Sequence, residues 1–577
     1  MKQYWKYVKP YLPFFILGPI CMIVEVIGEI ILPKLVGVMI NTGVAENDAG
    51  QIINIGLIMA VSALIALVAG ILGNYFAVKA SVSFGTDLRY DVFSKIQSFS
   101  FKNVDDFSAG SLVTRTTNDI TQMQHIIRMG LLMMFRSPGM LIGGIVMALS
   151  INKSLALVMV AVMPFLIISL GIILKLAFSK FDAMQKKIDN LNTVVRENIT
   201  NMRVVKSFLR EDFEKEKFVK SNFDLRRATQ KAMNIVICTN PVMTIATNVA
   251  TIAVVWIGGS FIMGGTMDVG DLTAFTSYVI QIFMSLMMLS MIIIQASRAV
   301  ASSRRVKEVL NTEIDIQDRE DANSEMLVND GMIEFKNVNF KYHEESDDYI
   351  LKNINLTINP GETVGIIGST GSGKTTLVHL IPRLYDVTGG EILVDGVNVK
   401  DYTLKNLRKS IAMVLQKNVL FSGTVEENIR WGKEDATEEE IKAATKSAQA
   451  DLFIENFNEG YETQIEQGGV NVSGGQKQRL CIARALIGKP RILILDDSTS
   501  AVDTATEAKI REHFKSEEIK STKIIIAQRI QSVIDADKIV VLSDGRIDAL
   551  GTHAELIESN EEYKEIYYSQ MDKEVSA

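Results

Sequence analysis

Cysteine is scarce in this chain of 577 residues, which contains only three. Cys21, Cys238 and Cys481 each stand alone in an apolar stretch, and no C-x-x-C pair occurs. A disulfide framework or a cysteine-ligated metal centre needs paired or clustered cysteines, so the sequence argues against both. We expect the three thiols to be small buried hydrophobic groups.

A basic excess is also absent, because 60 Lys and Arg residues face 67 Asp and Glu residues and leave a net charge of -7. This balance gives no reason to expect nucleic acid as a partner. The N-terminus lacks a short apolar core followed by an A-x-A-like cleavage site, so no removable signal peptide is expected. The chain is 47% hydrophobic and still 22% charged, which indicates separate apolar and polar regions. Its length allows two to four domains.

Long apolar runs dominate the first half of the chain. Each is long enough to supply the ~20 residues that cross the hydrocarbon core of a bilayer. Residues 1–12 precede them and mix lysines with aromatic residues, which favours a short helix in the membrane interface. The sequence therefore predicts six membrane-spanning helices, near residues 14–40, 52–78, 130–151, 154–178, 234–264 and 272–297.

The connections between these runs differ in charge. The short connections 41–51 and 265–271 carry only acidic charges, whereas the long connections 79–129 and 179–233 are rich in Lys and Arg. The positive-inside rule therefore places the long connections and both termini in the cytoplasm, with the spans in the cytoplasmic membrane. Loops of this length are rarely unstructured, so we expect the spans to continue as helices that turn near Asp106–Asp119 and Arg196–Glu211.

A few charges fall inside the predicted spans. Glu25 and Glu29 are four residues apart on one face of the first span, and Arg136 precedes Pro138 in the third. Charges at membrane depth face a bundle interior or a watery cavity. Two interpretations stay open: the glutamates recognise a cationic substrate on the translocation path, or they pair with Lys34, Arg136 or a neighbouring helix.

The sixth span carries methionines on one helical face. Methionine surfaces adapt to varied apolar ligands, but methionine is also ordinary core filler. Filler is the simpler interpretation of any single one of Met284, Met288 and Met291.

The pattern changes after a polar stretch. We interpret residues 1–310 as a transmembrane domain, 311–330 as a linker and 331–577 as a nucleotide-binding domain of short strands and helices. An apolar run, Thr363–Ile367, leads into a G-x-x-x-x-G-K-[ST] phosphate loop. Its backbone N–H groups cradle phosphates, its lysine reaches the β- and γ-phosphates, and its first threonine hydroxyl binds Mg²⁺. The loop comprises Gly368, Ser369, Thr370, Gly371, Ser372, Gly373, Lys374, Thr375 and Thr376.

Other nucleotide-site candidates follow the same logic. Tyr342 comes directly after an alternating strand and can stack on a nucleotide base. The buried strand Arg491–Leu495 ends in Asp496 and Asp497, and Asp496 is placed to bind Mg²⁺ as in phosphate-loop ATPases.

The order of these motifs resembles that of the ATP-binding cassette (ABC) proteins. The phosphate loop is followed by Gln416 after an apolar run, by an S-G-G-Q signature, and by the carboxylate-ended strand. Six spans ahead of the cassette resemble a half-size ABC exporter of the multidrug-resistance and lipid-flippase type. The resemblance implies an α-helical six-span transmembrane domain followed by an α/β phosphate-loop cassette. The signature comprises Ser473, Gly474, Gly475 and Gln476.

The resemblance also implies how the parts act together. Cassettes of this family pair head to tail, and each ATP lies between the phosphate loop of one and the signature of the other. Gln416 is then a contact of Mg²⁺ and of the reacting water. Coupling regions are implied at Phe107–Asp119 and Glu197–Glu211, and the loop that crosses the dimer interface at Ser500–Asp503.

Two positions depart from the family pattern in one nucleotide site. Asp497 stands where the family has the glutamate that polarises the attacking water, and Gln528 stands where it has the switch histidine. The aspartate side chain is one methylene shorter, and a neutral amide cannot become an imidazolium. The signature, which serves the other site, is intact. The stretch Thr463–Gly469 also departs from the family's T-x-V-G-E-x-G pattern.

These features predict one subunit of a heterodimeric exporter with a weakly hydrolytic site of its own, which binds Mg·ATP and lends its signature to a partner's competent site. The expected substrates are amphipathic small molecules, lipids or peptides. One alternative is a regulatory ATP-binding membrane subunit that switches state without turnover. A second is a slow homodimeric exporter.

Overall fold

The computed structural model describes residues 2–343, 347–498, 501–514 and 520–575. The chain forms two compact units. The first contains Met1–Gln97 and Gly110–Asn311, and the second contains Ser98–Ala109 and Thr312–Ala577. The short segment Ser98–Ala109 therefore belongs to the second unit, although it lies within the first half of the sequence.

The first half of the chain is helical. Short 3₁₀ turns at Lys2–Tyr4 and Lys9–Tyr11 flank the first helix, and π-helical turns occur at Met39–Val44 and Arg115–Asp119. The helices are α1 (Trp5–Val8), α2 (Leu12–Val38), α3 (Ala49–Gln97), α4 (Phe101–Asp106), α5 (Ala109–Thr114), α6 (Ile120–Ile151), α7 (Lys153–Thr200), α8 (Met202–Ser207), α9 (Glu211–Ile237), α10 (Thr239–Met263) and α11 (Val269–Asn311).

Within the described residues, six helical stretches are long and apolar enough to cross a membrane, which confirms the predicted number of spans. The helices also extend beyond the apolar runs, as predicted. At a rise of 1.5 Å per residue, the 49 residues of α3 reach about 70 Å, more than twice the thickness of a hydrocarbon core. The six stretches are Trp5–Val44, Ala49–Gln97, Ala109–Ile151, Lys153–Thr200, Glu211–Met263 and Val269–Leu289.

The two turns between the long helices were predicted with unequal success. The second lies at 201–210, inside the predicted segment Arg196–Glu211. The first lies at 98–108 and overlaps only the start of the predicted segment Asp106–Asp119, which is helical from Ala109 onward. The physical reason is a capping box at Ser100, whose hydroxyl accepts the N–H of Asn103 while the Asn103 side chain accepts the N–H of Ser100. This cap lies three residues after α3 ends at Gln97 and starts α4.

The thiols were predicted less well. Only Cys481 is buried, whereas Cys21 is half-buried and Cys238 is exposed at the start of α10. An apolar side chain on a membrane-spanning helix can face lipid instead of protein, so an apolar sequence neighbourhood did not imply a protein interior for Cys238.

The second unit contains two main sheets. One is antiparallel with the order β2-β1-β4-β5, and the other has six strands in the order β12-β11-β3-β10-β9-β6. The strands are β1 (Ile333–Phe340), β2 (Leu351–Ile358), β3 (Thr363–Ile367), β4 (Gly389–Val394), β5 (Val397–Asn398), β6 (Ile411–Val414), β7 (Gly423–Thr424), β8 (Gln464–Ile465), β9 (Ile492–Asp496), β10 (Thr522–Ile526), β11 (Lys538–Ser543) and β12 (Arg546–Gly551).

Helices alternate with these strands along the chain. They are α12 (Lys374–Leu380), α13 (Leu404–Lys409), α14 (Val425–Arg430), α15 (Glu438–Ser447), α16 (Asp451–Ile454), α17 (Gly474–Leu486), α18 (Thr504–Phe514), α19 (His553–Ser559) and α20 (Glu561–Val575). The combination confirms the predicted fold class of a six-span helical domain and an α/β nucleotide-binding domain.

The order of the six-stranded sheet positions the site. β3, β10, β9 and β6 are neighbours and run parallel, so their carboxyl ends lie along one edge. Near-continuous apolar burial explains why these strands are central: every residue of β9 is buried, as are four of the five in β3. Ligands of such sheets bind beyond the carboxyl ends of the strands.

Candidate functional site

The phosphate loop follows β3 and leads into α12. Gly373 has a left-handed φ of +99°, and a Cβ there would lie 2.9 Å from Leu351 Cδ2, so only glycine fits without strain. The Lys374 ammonium donates to the carbonyls of Gly368 at 2.8 Å and Ser369 at 2.7 Å. Burial lowers the pKa of Lys374, and Asp496 and Asp497 oppose that shift. The loop thus holds its cation beside its own backbone, where phosphates are expected.

Asp496 ends β9 and is 1% exposed. Its Oδ1 accepts the Thr375 hydroxyl at 3.1 Å, whereas its buried Oδ2 has no hydrogen-bond partner among the described residues. Burial raises the pKa of Asp496, and the bond from Thr375 opposes the shift. A buried carboxylate oxygen without a donor, next to a hydroxyl oxygen, is the donor set that Mg²⁺ prefers. The predicted metal residues Thr375 and Asp496 therefore fit the ion.

Asp497 and Gln528 lie together at the same edge. Gln528 Nε2 donates to Asp497 Oδ2 at 2.8 Å, and the Gln416 side chain also hydrogen-bonds the Asp497 carboxylate. Burial raises the pKa of Asp497, and both amide contacts oppose that shift. Asp497 has a left-handed φ of +48°, which Asp and Asn tolerate better than most residues. The carboxylate is therefore held by two neutral amides.

Tyr342 follows β1 and is half-buried beside the phosphate loop. Its hydroxyl lies 2.9 Å from the Thr376 hydroxyl. Its ring packs edge-on against Phe340 and Tyr385, with centroid separations of 4.9 and 5.2 Å. The Tyr385 hydroxyl in turn donates to Asp105 Oδ2 at 2.7 Å, so α4 contacts the aromatic cluster beside the loop. Sequence reasoning missed Tyr385, because no motif connects it to Tyr342 or to Asp105.

The signature forms the start of α17. The Ser473 hydroxyl accepts the N–H of Gln476 at 3.3 Å, and Gln476 Oε1 accepts the N–H of Ser473 at 2.9 Å, which is a capping box. Ser473 and Gly474 are exposed. A Cβ at Gly474 would meet Ala501 Cβ at an ordinary 3.6 Å, whereas a Cβ at Gly475 would lie only 2.8 Å from the Ala501 carbonyl oxygen. The chain itself therefore requires glycine at Gly475 but not at Gly474.

Two further predicted segments lie in the second unit. Ser500, the first residue of the predicted interface loop, lies outside the described residues. Its neighbour Ala501 donates its N–H to Gln478 Oε1 at 2.9 Å, which fixes this loop against α17. In the unusual stretch Thr463–Gly469, Ile465 is buried and β8 pairs with β7.

The charges predicted inside the spans form one cluster in the first unit. Arg136 Nη1 lies 3.2 Å from Glu25 Oε1, and Arg136 Nη2 lies 2.7 Å from Glu29 Oε1. The carboxyl carbon of Glu25 is 3.1 Å from where a Cβ would lie at Gly70, so α3 packs on it. This arrangement favours pairing of the glutamates with Arg136 over pairing with Lys34 and over recognition of a cationic substrate.

Of the three methionines predicted on one face of the sixth span, Met284 and Met288 are 55% and 36% exposed, and the side chain of Met291 lies outside the described residues.

The C-terminal residues of the Phe107–Asp119 motif make contacts within the first unit. Asp119 is fully buried and accepts Arg305 Nε at 2.7 Å and the Ser302 hydroxyl at 2.9 Å. Arg115 donates to the Arg305 carbonyl at 3.1 Å and pairs with Glu308 at 2.8 Å. These residues tie the π-helical turn to α11.

Comparison with known proteins agrees with this architecture. Residues 15–286 match the family model of the ABC transporter transmembrane region, and residues 351–500 match that of the ABC transporter. YfiB of Bacillus subtilis, an ABC transporter ATP-binding protein, is 40% identical over the full length of both chains. YgaD of the same organism, named provisionally as a multidrug export ATP-binding/permease protein, is 33% identical over 98% of both chains.

A solved bacterial Atm1-family ABC exporter with ATP bound has the same fold. It superposes with a TM-score of 0.79 over 98% of this chain and 99% of its own, at 24% identity. Together the family models and the full-length relatives show that the chain belongs to the ABC transporter family, as a membrane protein of exporter architecture with its transmembrane and ATP-binding domains fused.

Proposed function

We propose that this chain is one half of a heterodimeric, ATP-driven exporter, in which its own ATP site hydrolyses weakly and its signature completes the partner's competent site. The observation that carries the proposal is the Asp497–Gln528 pair. Gln528 Nε2 donates to Asp497 Oδ2 at 2.8 Å, at the edge of the sheet where the phosphate loop and Asp496 also lie.

The pair is poorly suited to activating water. A base must reach the water it polarises, and misplacement by about 1 Å can cost about a hundredfold in rate. Asp497 is one methylene shorter than glutamate, and amides from Gln416 and Gln528 already occupy its carboxylate. Gln528 can hydrogen-bond a γ-phosphate but cannot gain the charge of a protonated histidine. Binding of ATP is retained because it depends on other groups.

Those other groups form a complete binding site for Mg·ATP. Lys374 supplies the cation for the phosphates, and Tyr342 supplies a face for the adenine ring. Thr375, Gln416 and Asp496 would hold Mg²⁺, which when bound neutralises charge on the β- and γ-phosphate oxygens. The unpartnered, buried Oδ2 of Asp496 supports this assignment.

The signature is suited to a partner. Ser473 and Gly474 are exposed at the capped N-terminus of α17, which has 13 residues. The positive end of a helix dipole favours anionic ligands at such an N-terminus. We therefore assign Ser473, Gly474, Gly475 and Gln476 to the ATP site of a second half-transporter.

The remaining parts of the proposal concern place and substrate. The Lys- and Arg-rich connections support a cytoplasmic location for the nucleotide-binding domain, which we assign to residues 331–577. We assign residues 1–310 to the transmembrane domain in the cell membrane and 311–330 to the linker. The name of the relative YgaD supports amphipathic, drug-like substrates, and lipids or peptides fit the same architecture.

Steady-state ATPase activity of the assembled heterodimer tests the asymmetry. Asp497→Asn keeps the side-chain shape and suits the left-handed backbone, so it removes only the carboxylate. We expect it to retain most of the turnover. Gly474→Asp should abolish turnover, because a charged side chain would block the approach of the partner's γ-phosphate.

The space at Gly474 makes this comparison interpretable. Because a Cβ there meets only Ala501 at 3.6 Å, Gly474→Ala should fold like the parent and still lose activity. Loss of turnover in Asp497→Asn equal to that in Gly474→Asp would contradict the proposal and make this site hydrolytic. Turnover by the purified chain alone would identify a slow homodimer, and no turnover with any co-encoded half-transporter would identify a regulatory subunit.

A further inference from the structure

The C-terminal helix α20 reaches the loop that carries Gln528. The Gln570 side-chain amide donates from Nε2 to the carbonyl of Gln528 at 2.8 Å and accepts the N–H of Ile530 on Oε1 at 2.9 Å. One amide thus hydrogen-bonds the backbone on both sides of Arg529. A bond at each end of a three-residue segment fixes its orientation as well as its position.

The orientation of that segment decides where the Gln528 side chain points. Gln528 is exposed, and its Nε2 contacts Asp497 Oδ2 at 2.8 Å. The chain continues through Arg529 in an extended conformation, with φ -99° and ψ 128°. The Arg529 carbonyl accepts the N–H of Ser532 at 3.1 Å, which starts the 3₁₀ turn Ile530–Ser532, whereas the carbonyl of Gln528 accepts its bond from Gln570. The backbone at Gln528 is therefore held by a side chain from outside the loop.

The far end of the loop has its own anchors. Ile530 is 2% exposed in the core, and the Ser532 hydroxyl donates to the buried Glu507 at 2.5 Å. These contacts hold residues 530 and 532. The contact from Gln570 acts on the carbonyl of Gln528 itself, next to the side chain that faces the phosphate edge.

The helix that presents Gln570 is firmly held. Tyr563 is fully buried, its hydroxyl lies 2.6 Å from His553 Nδ1, and its N–H donates to Asn560 Oδ1 at 2.8 Å. Side chains on a helix anchored in this way are positioned more accurately than those on a loop. Gln570 is therefore a fixed support for the Gln528 loop.

We propose that Gln570 is a positioning residue for the γ-phosphate contact of Gln528, and that it thereby sets the preference of this chain's own site for ATP over ADP. The inference rests on the proposed function, in which Gln528 faces the γ-phosphate. ADP lacks that group, so ADP binding does not depend on where Gln528 points. A residue with only a structural role would affect both nucleotides alike.

The test measures the affinities of the purified full chain in nanodiscs for AMP-PNP, a non-hydrolysable ATP analogue, and for ADP. Gln570→Met keeps the side-chain length and removes both hydrogen bonds. We expect its AMP-PNP affinity to fall about tenfold, as loss of one to two hydrogen bonds implies, and its ADP affinity to stay within about twofold. Gln570→Glu keeps an acceptor for the N–H of Ile530. Its AMP-PNP affinity should therefore lie between that of the parent and that of Gln570→Met.

Tyr568→Ala is the matched control, because Tyr568 is 57% exposed on the same helix, and its ratio of affinities should equal the parent's. Should Gln570→Met fail to fold, Gln570→Glu carries the same comparison. A changed ratio in Gln528→Ala with an unchanged ratio in the Gln570 variants overturns the inference alone. An unchanged ratio in Gln528→Ala overturns the γ-phosphate role of Gln528 and the inference with it. Equal losses of both nucleotides would reduce Gln570 to a structural residue.

Discussion

Replacing Glu25 and Glu29 by glutamine distinguishes helix pairing from selection of substrate charge. Both carboxylates contact Arg136, at 3.2 and 2.7 Å. The double variant leaves Arg136 as an unpaired cation within a span, and a charge near the centre of a membrane helix costs about 2.5–3.5 kcal/mol on insertion scales. We expect the melting temperature in nanodiscs to fall by several degrees, and export of cationic and neutral dyes to fall together.

The matched control is a triple variant that also carries Arg136→Gln. It removes the same two carboxylates but restores the charge balance, so a purely structural cluster should regain most of the lost stability. Export of both dyes should return in parallel, with the ratio of their rates at the parental value. The assay is uptake into inverted vesicles with one permanently charged dye and one neutral dye of similar size.

One result would refute this reasoning. If the triple variant melts like the parent but exports only the neutral dye, the carboxylates select positive charge and do not serve mainly to hold α2 against α6. The same result would support the alternative in which Glu25 and Glu29 face the translocation path. A triple variant that stays as unstable as the double variant would mean that hydrogen bonding, and not charge balance, holds the cluster.

Three further outcomes are expected. Lys374→Ala should lose binding of a labelled ATP analogue by the full chain, since it removes the cation beside Gly368 and Ser369; unchanged affinity would remove this lysine from the site. Tyr342→Ala should weaken nucleotide binding by about 1–3 kcal/mol, whereas Tyr342→Phe keeps the ring and should bind like the parent. Equal nucleotide affinities for the two variants would contradict the stacking assignment. Burial lowers the pKa of His379, so below its unfolded value of about 6.5 the unfolded state binds more protons and stability falls as the pH drops toward the folded value. His379→Phe should flatten this fall in a series of thermal melts, and an unaltered pH dependence would exclude His379 as its source.

Much of the nucleotide site is predictable because its parts are local. A phosphate loop between a strand and a helix is a contiguous pattern, and a buried strand that ends in two carboxylates is another. The strand order then brings Gln416, Asp497 and Gln528 together, since β6, β9 and β10 are parallel neighbours with their carboxyl ends at one edge. Resemblance to the family supplied the grouping, and hydrogen bonds between these three side chains agree with it.

The residues that sequence reasoning missed act over long separations. Tyr385 bonds Asp105 across 280 positions, and Gln570 bonds Gln528 across 42. Neither contact leaves a periodic or motif signal, because tyrosine and glutamine at these positions also suit ordinary packing. The first turn between the long helices was predicted several residues too late for a different reason: an asparagine at Asn103 completes the capping box where glutamate or glutamine is usual.

The separation of the signature from the carboxylate edge has an evolutionary consequence. Asp497 and Gln528 follow strands of the central sheet, whereas Ser473 and Gly474 start a different helix, α17. Substitutions at one location need not disturb the other. A duplicated gene could therefore accumulate changes at the carboxylate edge while selection through its partner preserved the signature. Under the proposed function, the two half-transporters of a pair should therefore diverge unevenly: one copy would lose the residues for hydrolysis, and both would keep an intact signature.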